Sequence, residues 1–91
     1  MYSSDLEAIT LLSAAAKSKE GAFNFYYTAD SRIEIDNKVY INLGEDKDFD
    51  IMDSAVEFLV SEDLIHRVWA DGVQHCKVSP RGYEKLTRRF E

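Results

Sequence analysis

The chain has 91 residues and a mass of 10.4 kDa, which is the size of one small domain. Hydrophobic residues make up 45% of the chain and aromatic residues 12%, which excludes a disordered polymer and supplies enough apolar material for a core. The formal net charge of −6 makes the protein acidic, so its overall field opposes the approach of nucleic acid.

Cysteine content and hydropathy predict a cytoplasmic protein. The single cysteine, Cys76, excludes an intrachain disulfide framework and suits a reducing compartment. No apolar run approaches the ~20 residues of a membrane span, and the N-terminus lacks the basic start and apolar stretch of a secretory signal. We therefore expect a protein of the cytoplasm, or one delivered to a cytoplasm, without membrane association.

Periodicity in the first half predicts a helix followed by three short strands. Apolar residues at helical spacing predict the helix over 5–19, and Gly21 is a suitable C-terminal stop. Apolar and polar residues then alternate over 23–43, which is the pattern of strands.

The turn between the second and third strands has two candidate lengths. A two-residue turn at 36–37 sets Ile35 opposite Lys38. A three-residue turn at 36–38 sets Ile35 opposite Val39 and places the aliphatic residues of both strands on one face. We predict the three-residue turn, because it keeps those side chains together in the core.

The second half predicts a helix, a hairpin and a last helix. An apolar stripe predicts the first of these helices over 47–62. Asp71-Gly72 is a strong turn signal within a hairpin over 65–78. Ser79-Pro80 combines an N-cap residue with proline at the first helical position, so we predict the last helix over 80–90.

Residues 49–86 resemble the second half of a winged-helix domain. In that family a helix ending in leucines leads into a two-stranded wing, and a motif of the form (Thr/Ser)-x-x-Gly-x-x-x-Leu opens the final helix. Ser79, Gly82 and Leu86 hold the places of that motif. The resemblance is to small winged-helix proteins of bacteria and phages.

This resemblance in the second half, together with the strand periodicity of 23–43, predicts one winged-helix-like α+β domain over residues 1–91. Its order would be helix, short antiparallel strands, helix, two-stranded wing and helix. The helix at 47–62 would stand where a winged-helix protein has its DNA-recognition helix.

The helix at 47–62 is acidic where a reader of the major groove needs Arg, Lys, Asn or Gln. Four acids recur at i, i+4, i+7 and i+11 and form one acidic stripe: Asp46, Asp50, Asp53 and Glu57. Such a stripe is strongly unfavourable against phosphates. It is either a solvated face, with acids favoured near a helix N-terminus, or a surface that docks a basic protein or imitates phosphates in a nucleic-acid channel.

Metal sites and cofactors are not expected. The aspartates at 46, 48 and 50 match the first positions of a calcium-binding loop, but Ile51 stands where that loop requires glycine. The helical period of the apolar residues accounts better for this segment. His75 and Cys76 are neighbours on a predicted strand and point to opposite faces, so they do not share a zinc ion easily.

Two further sets of residues are candidates for binding. The wing carries Arg67, Trp69, His75 and Lys77. A large aromatic residue beside cations is a common binding anchor, and the alternative is that Trp69 packs on the body of the domain. The last helix carries Arg81, Lys85, Arg88 and Arg89. These cations could contact phosphates, pair with the acidic stripe of the same chain or of a second copy, or simply suit a helix C-terminus.

These features predict a protein that binds and does not catalyse, since no Ser-His-acid arrangement and no phosphate-binding glycine loop stands out. We expect a regulatory or inhibitory protein-binding module of bacterial, phage or mobile-element type. It would act through the acidic stripe and the wing on a basic or nucleic-acid-binding protein. The alternative is a winged-helix transcriptional regulator that binds DNA through the wing and the last helix. A homodimer is also open.

Overall fold

A computed structural model describes residues 4–27, 30–44 and 46–89. Within these residues the chain forms three helices and five strands. In chain order they are α1 (Ser4–Ala16), β1 (Ala22–Tyr26), β2 (Arg32–Ile35), β3 (Lys38–Asn42), α2 (Asp46–Ser61), β4 (Ile65–Ala70), β5 (Val73–Val78) and α3 (Pro80–Arg89). The predicted α+β class and the predicted order of elements are confirmed.

The first helix ends three residues earlier than predicted, at Ala16. Ser18 is the reason, because its hydroxyl donates a hydrogen bond to the carbonyl oxygen of Ala15 at 2.5 Å and accepts one from the amide of Ala22 at 3.2 Å. Serine side chains that bond to nearby backbone groups in this way compete with the helical pattern.

The five strands form one antiparallel sheet in the order β3-β2-β1-β5-β4. The predicted C-terminal hairpin is confirmed: β4 pairs with β5 around the turn Asp71-Gly72, and both turn residues have positive φ, as a type I′ turn requires. β1 pairs with β2 on one side and with β5 on the other. The hairpin is therefore continuous with the rest of the sheet.

The turn between β2 and β3 differs from the prediction. It has two residues, 36–37, both in the left-handed region, and Ile35 lies opposite Lys38. Asp and Asn tolerate that conformation, so the tighter turn is accessible. A bulge then shifts the register, so that Val39 lies opposite Glu34 and Ile33 lies opposite Ile41.

The core lies between one face of the sheet and the helices. Alternate residues of the central strands point inward, among them Phe23 and Phe25 of β1 and Cys76 of β5. Residues paired across the strands share a face, so Phe25, Gln74 and Trp69 form one inward-facing row across β1, β5 and β4. This row positions the candidate site.

The start of α3 is as the sequence predicts. The hydroxyl of Ser79 accepts a hydrogen bond from the amide of Gly82 at 3.0 Å and donates one to the carbonyl oxygen of Asp63 at 2.7 Å. Gly82 is buried, and a Cβ atom there would overlap the carbonyl oxygen of Leu64 and lie 2.9 Å from the side chain of Val78. A close approach between backbones thus explains the glycine.

We predict that Gly82→Ala lowers the free energy of unfolding by about 1–3 kcal/mol, as overpacking of a buried position usually does. Gly44→Ala is the matched control, since a Cβ atom at Gly44 meets no atom within 4 Å. Urea unfolding of the two variants measures the difference. Equal stability of both variants would contradict the close packing at Gly82.

Candidate functional site

A chain of hydrogen bonds joins α2 to the sheet. Arg67 of β4 donates to Glu57 of α2 and, at 3.1 Å, to the amide oxygen of Gln74. The amide nitrogen of Gln74 donates to the hydroxyl of Tyr27, which in turn donates to Asp53 of α2. Two carboxylates of the acidic stripe, Asp53 and Glu57, are therefore bonded to Tyr27 and Arg67, and Gln74 connects these two residues.

Simple spacing rules bring these groups together. Asp53 and Glu57 are one helical turn apart, so they share a face of α2. Arg67 and Gln74 face inward on the neighbouring strands β4 and β5. Tyr27 directly follows β1, and its amide donates a hydrogen bond to the carbonyl oxygen of Gly72 at 3.0 Å. The hairpin turn thus holds Tyr27 beside the residues that it bonds.

Aromatic rings surround the ring of Tyr27. The ring of Tyr27 stacks on Phe25 at 4.4 Å between centroids and meets Phe49 edge-on at 5.1 Å. Its other neighbour is Trp69, at 5.0 Å. The guanidinium of Arg67 lies 6.0 Å from the centre of the Trp69 ring, within the range of a cation–π contact.

Trp69 remains 54% exposed despite these neighbours. The alternative in which Trp69 packs on the body of the domain therefore holds for part of the ring. One side of the ring packs on the body of the domain at Tyr27, and the rest faces solvent. The contacts restrict the ring while leaving a large apolar surface open.

The protonation state of Tyr27 follows from its surroundings. Burial, together with the hydrogen bond to Asp53 and the nearby carboxylates, raises the pKa of Tyr27 well above its ordinary value. The hydroxyl is therefore a neutral donor at physiological pH. The hydrogen bond to Glu57 raises the pKa of Arg67, which keeps the guanidinium charged.

The acidic stripe is divided by these contacts. Asp50 is exposed, whereas Asp53 is half-buried and bonded to Tyr27, and Glu57 is exposed and paired with Arg67. The side chain of Asp46 lies outside the described part of the structure. We name the acidic residues Asp50, Asp53 and Glu57, together with Arg67 and Trp69, the α2–β4 seam.

The four candidate residues of the hairpin do not form one group. Arg67 and Trp69 point inward, while His75 and Lys77 lie on the outer face of the sheet, because side chains alternate along each strand. There, Nδ1 of His75 lies 2.7 Å from the amide oxygen of Asn24. Only the inward pair contributes to the α2–β4 seam.

Among the basic candidates of α3, the structure describes the side chains of Arg81 and Lys85. Nε of Arg81 donates to the carbonyl oxygen of Glu62 at 3.0 Å, just after the end of α2, where a cation is favourable. Lys85 is exposed. The side chains of Arg88 and Arg89 are outside the described residues. Among the described side chains, Arg67 of the hairpin forms an ion pair with the acidic stripe.

The aspartate pattern lies at the start of a helix, and the cysteine lies in the core. Asp48 and Asp50 lie in the first turns of α2, not in a loop of the calcium-binding kind. In the described ranges no three His, Cys, Asp or Glu side chains are placed to hold a metal ion. Cys76 is free and buried, and burial raises the pKa of its thiol to about 12, so the thiolate is not populated at neutral pH.

Sequence reasoning missed Tyr27 and Gln74 as site residues. Gln74 carried a signal that could have found it, because it occupies an inward position of β5 in phase with Cys76 and Val78. A polar residue in an apolar phase must find hydrogen-bond partners in the core. Tyr27 carried no comparable signal, since an aromatic residue fits that position without a polar role.

Comparison with known proteins found no matching family model, no matching curated protein and no matching solved structure. Among the residues described, no helix has both the length and the apolar character needed to cross a membrane. The function is therefore inferred from the α2–β4 seam itself.

We predict that the stability contributed by Tyr27 declines at alkaline pH. The folded-state pKa lies above the unfolded value of about 10, so above that pH the folded chain keeps a proton that the unfolded chain loses. The stability advantage of the wild type over Tyr27→Phe should shrink as pH rises from about 9 to about 11.

Urea unfolding of both chains across this range measures the effect. Cys76 also has a raised pKa, and it contributes equally to both chains, so it cancels in the difference. A stability difference that stays constant with pH would show that Tyr27 titrates normally.

Proposed function

We propose that this chain is a non-enzymatic protein-binding module, regulatory or inhibitory in role and of bacterial, phage or mobile-element type. Its binding surface is the α2–β4 seam. The observation that carries the proposal is Trp69, which is 54% exposed and yet held against Tyr27 at 5.0 Å.

An exposed tryptophan held in place is well suited to binding. Tryptophan is among the residues most enriched at the energetic centres of interfaces, because it buries a large area and has few rotatable bonds. The contacts with Tyr27 and Arg67 restrict the ring before any partner arrives. A restricted side chain loses less conformational entropy on binding, so more of its contact energy appears as affinity.

The charge of the α2–β4 seam favours a basic partner. The α2–β4 seam contains three carboxylates, those of Asp50, Asp53 and Glu57, and one guanidinium, that of Arg67, so its formal charge is −2. Tyr27 adds no charge because its hydroxyl stays protonated. A basic or nucleic-acid-binding protein is attracted to this surface, and phosphates are repelled.

Kinship with winged-helix proteins is part of the proposal. It is supported by the hairpin, by the pairing of β1 with the return strand β5, and by the motif Ser79, Gly82 and Leu86 at the start of α3. The hairpin of β2 and β3 stands where a typical winged helix has a second helix, so the order of elements differs. Helix α2 would then hold the place of the recognition helix while serving a protein partner.

A winged-helix DNA-binding regulator is the second candidate. It is favoured by cations outside the α2–β4 seam: Lys77 is exposed on the outer face of the sheet, and Lys85 is exposed on α3. This candidate requires affinity for random duplex DNA that falls steeply with salt. The protein-binding proposal requires no such affinity.

The proposal includes a cytoplasmic location and no catalysis. Cys76 is unpaired and buried, which suits a reducing compartment and leaves no reactive thiolate. A homodimer is not required for the proposed function.

We predict that Trp69→Ala weakens partner binding by about 2 kcal/mol or more, roughly 30-fold in Kd, because it removes the anchor. Asp50→Lys, at an exposed position of α2, should weaken binding without unfolding the chain. Thr87→Ala, exposed on α3, is the matched control and should bind as the wild type does.

The measurement is capture from extracts of the source organism with a photoreactive residue at Ser54, which is exposed on α2 between Asp50 and Glu57. The same residue at Thr10, on α1, is the control for the position of the crosslink. Crosslinking at Ser54 that is lost in Trp69→Ala supports the α2–β4 seam. Capture that survives this change but is abolished by Lys85→Glu would place the working surface on α3.

A further inference from the structure

Strand β4 is an edge of the sheet. The strand order places β5 on one side of it, and no described strand lies on the other. Its pairing with β5 runs without a register shift from Ile65 to Ala70. The opposite edge, β3, is interrupted by a bulge and begins at Lys38, two features that discourage strand pairing. Among the described strands, β4 is therefore the edge without a bulge, and the charge of its Arg67 is paired with Glu57.

The free hydrogen-bonding groups of β4 can be assigned from the pairing. The amide of Ser79 donates to the carbonyl oxygen of Leu64 at 3.0 Å, so Leu64 occupies a position bonded towards β5. In an antiparallel pair such positions alternate along the strand. The backbone groups of Ile65, Arg67 and Trp69 consequently point away from β5, towards the open edge.

The two sides of this edge differ in chemistry. On the inner side, Glu57 of α2 pairs with Arg67, and the exposed Asp50 lies two helical turns earlier on the same face of α2. On the outer side, Val68 is 64% exposed and Ala70 is exposed next to it on the same face. A segment laid along β4 would meet negative charge on one face and aliphatic surface on the other.

We propose that the protein partner binds by adding an extended segment to β4 as a sixth strand, with basic and aliphatic residues in alternation. This inference rests on the proposed function and specifies the partner of the same surface. Main-chain hydrogen bonds to Arg67 and Trp69 supply affinity, as in other cases of strand addition. The basic residues face the acidic side chains of α2, and the aliphatic residues pack beside Val68.

A second copy of this chain fits the edge less well. Two copies joined through β4 in an antiparallel pair would form one sheet with a two-fold axis normal to it. Both α2 helices would then lie on the same side of that sheet. Their exposed carboxylates, Asp50 and Glu57 of each copy, would approach across the axis and repel. Charge complementarity thus selects a basic segment.

A synthetic peptide of alternating lysine and valine is the probe. Trp69 is the only tryptophan, so its fluorescence reports events at this edge directly. We expect saturable binding of the peptide and slower hydrogen exchange at the amides of Arg67 and Trp69. A peptide of alternating glutamate and valine, and a lysine-valine peptide N-methylated on alternate amides, should each bind at least ten-fold more weakly.

Variants of the protein separate the two parts of the recognition. Asp50→Lys should weaken binding of the lysine-valine peptide several-fold, whereas Thr10→Lys, exposed on α1, should change it little. Unchanged binding to Asp50→Lys would overturn the role of the acidic side chains. Failure of the lysine-valine peptide to bind, or equal binding of its N-methylated form, would overturn strand addition.

The natural partner provides the test that separates this inference from the proposed function. Suppose that the partner crosslinks at Ser54 and depends on Trp69, while the amides of Arg67 and Trp69 exchange as in the free protein. The protein-binding function then stands and strand addition is wrong. Suppose instead that the same amides become protected when the concentration of this protein is raised without any partner, and that sedimentation then shows a dimer. That result would identify the occupant of the edge as a second copy and overturn the proposal.

Discussion

The fully buried amide of Gln74 is the constraint on which the candidate site depends. A buried amide without partners costs about 1–3 kcal/mol, so the surrounding elements must supply a donor and an acceptor. Arg67 supplies the donor from β4, and the hydroxyl of Tyr27 supplies the acceptor after β1. Each of these residues then reaches a carboxylate of α2, Glu57 or Asp53. One polar side chain in the core thereby sets the position of a helix, two strands and the end of a third.

This arrangement explains how an acidic helix and a cationic hairpin form one surface. Arg67 forms an ion pair with Glu57 of α2, and this contact competes with any contact to phosphates. The same bonds hold Tyr27 in place, and Tyr27 provides the surface on which Trp69 rests. Trp69, on the edge strand β4, is consequently presented with part of its ring exposed beside Arg67, which is paired with Glu57. Affinity for an extended basic segment would arise from groups that are positioned before binding.

The sequence predicted the elements better than it predicted their connections. Helical and strand periods placed every element, because these periods depend on local geometry, and the turn at Asp71-Gly72 formed as expected. The turn at 36–37 was mispredicted. A bulge after this turn shifts the register by one residue, and Ile33 then lies opposite Ile41, as it would after a three-residue turn. Spacing placed Asp53 and Glu57 on one face, but it could not reveal that both bond to the hairpin and to Tyr27. Those contacts depend on the sheet order, which joins residues 47 positions apart.

The most direct test of this account is the cost of Arg67→Met measured by urea unfolding in two backgrounds. In the wild type, the change leaves the buried amide oxygen of Gln74 without the donor Arg67, so we expect the free energy of unfolding to fall by about 1–3 kcal/mol. In Gln74→Met that oxygen is absent, and the same change should cost less than about 0.5 kcal/mol. An equal cost in both backgrounds would contradict the account, because Arg67 would then act through Glu57 or its own packing and not through the buried amide.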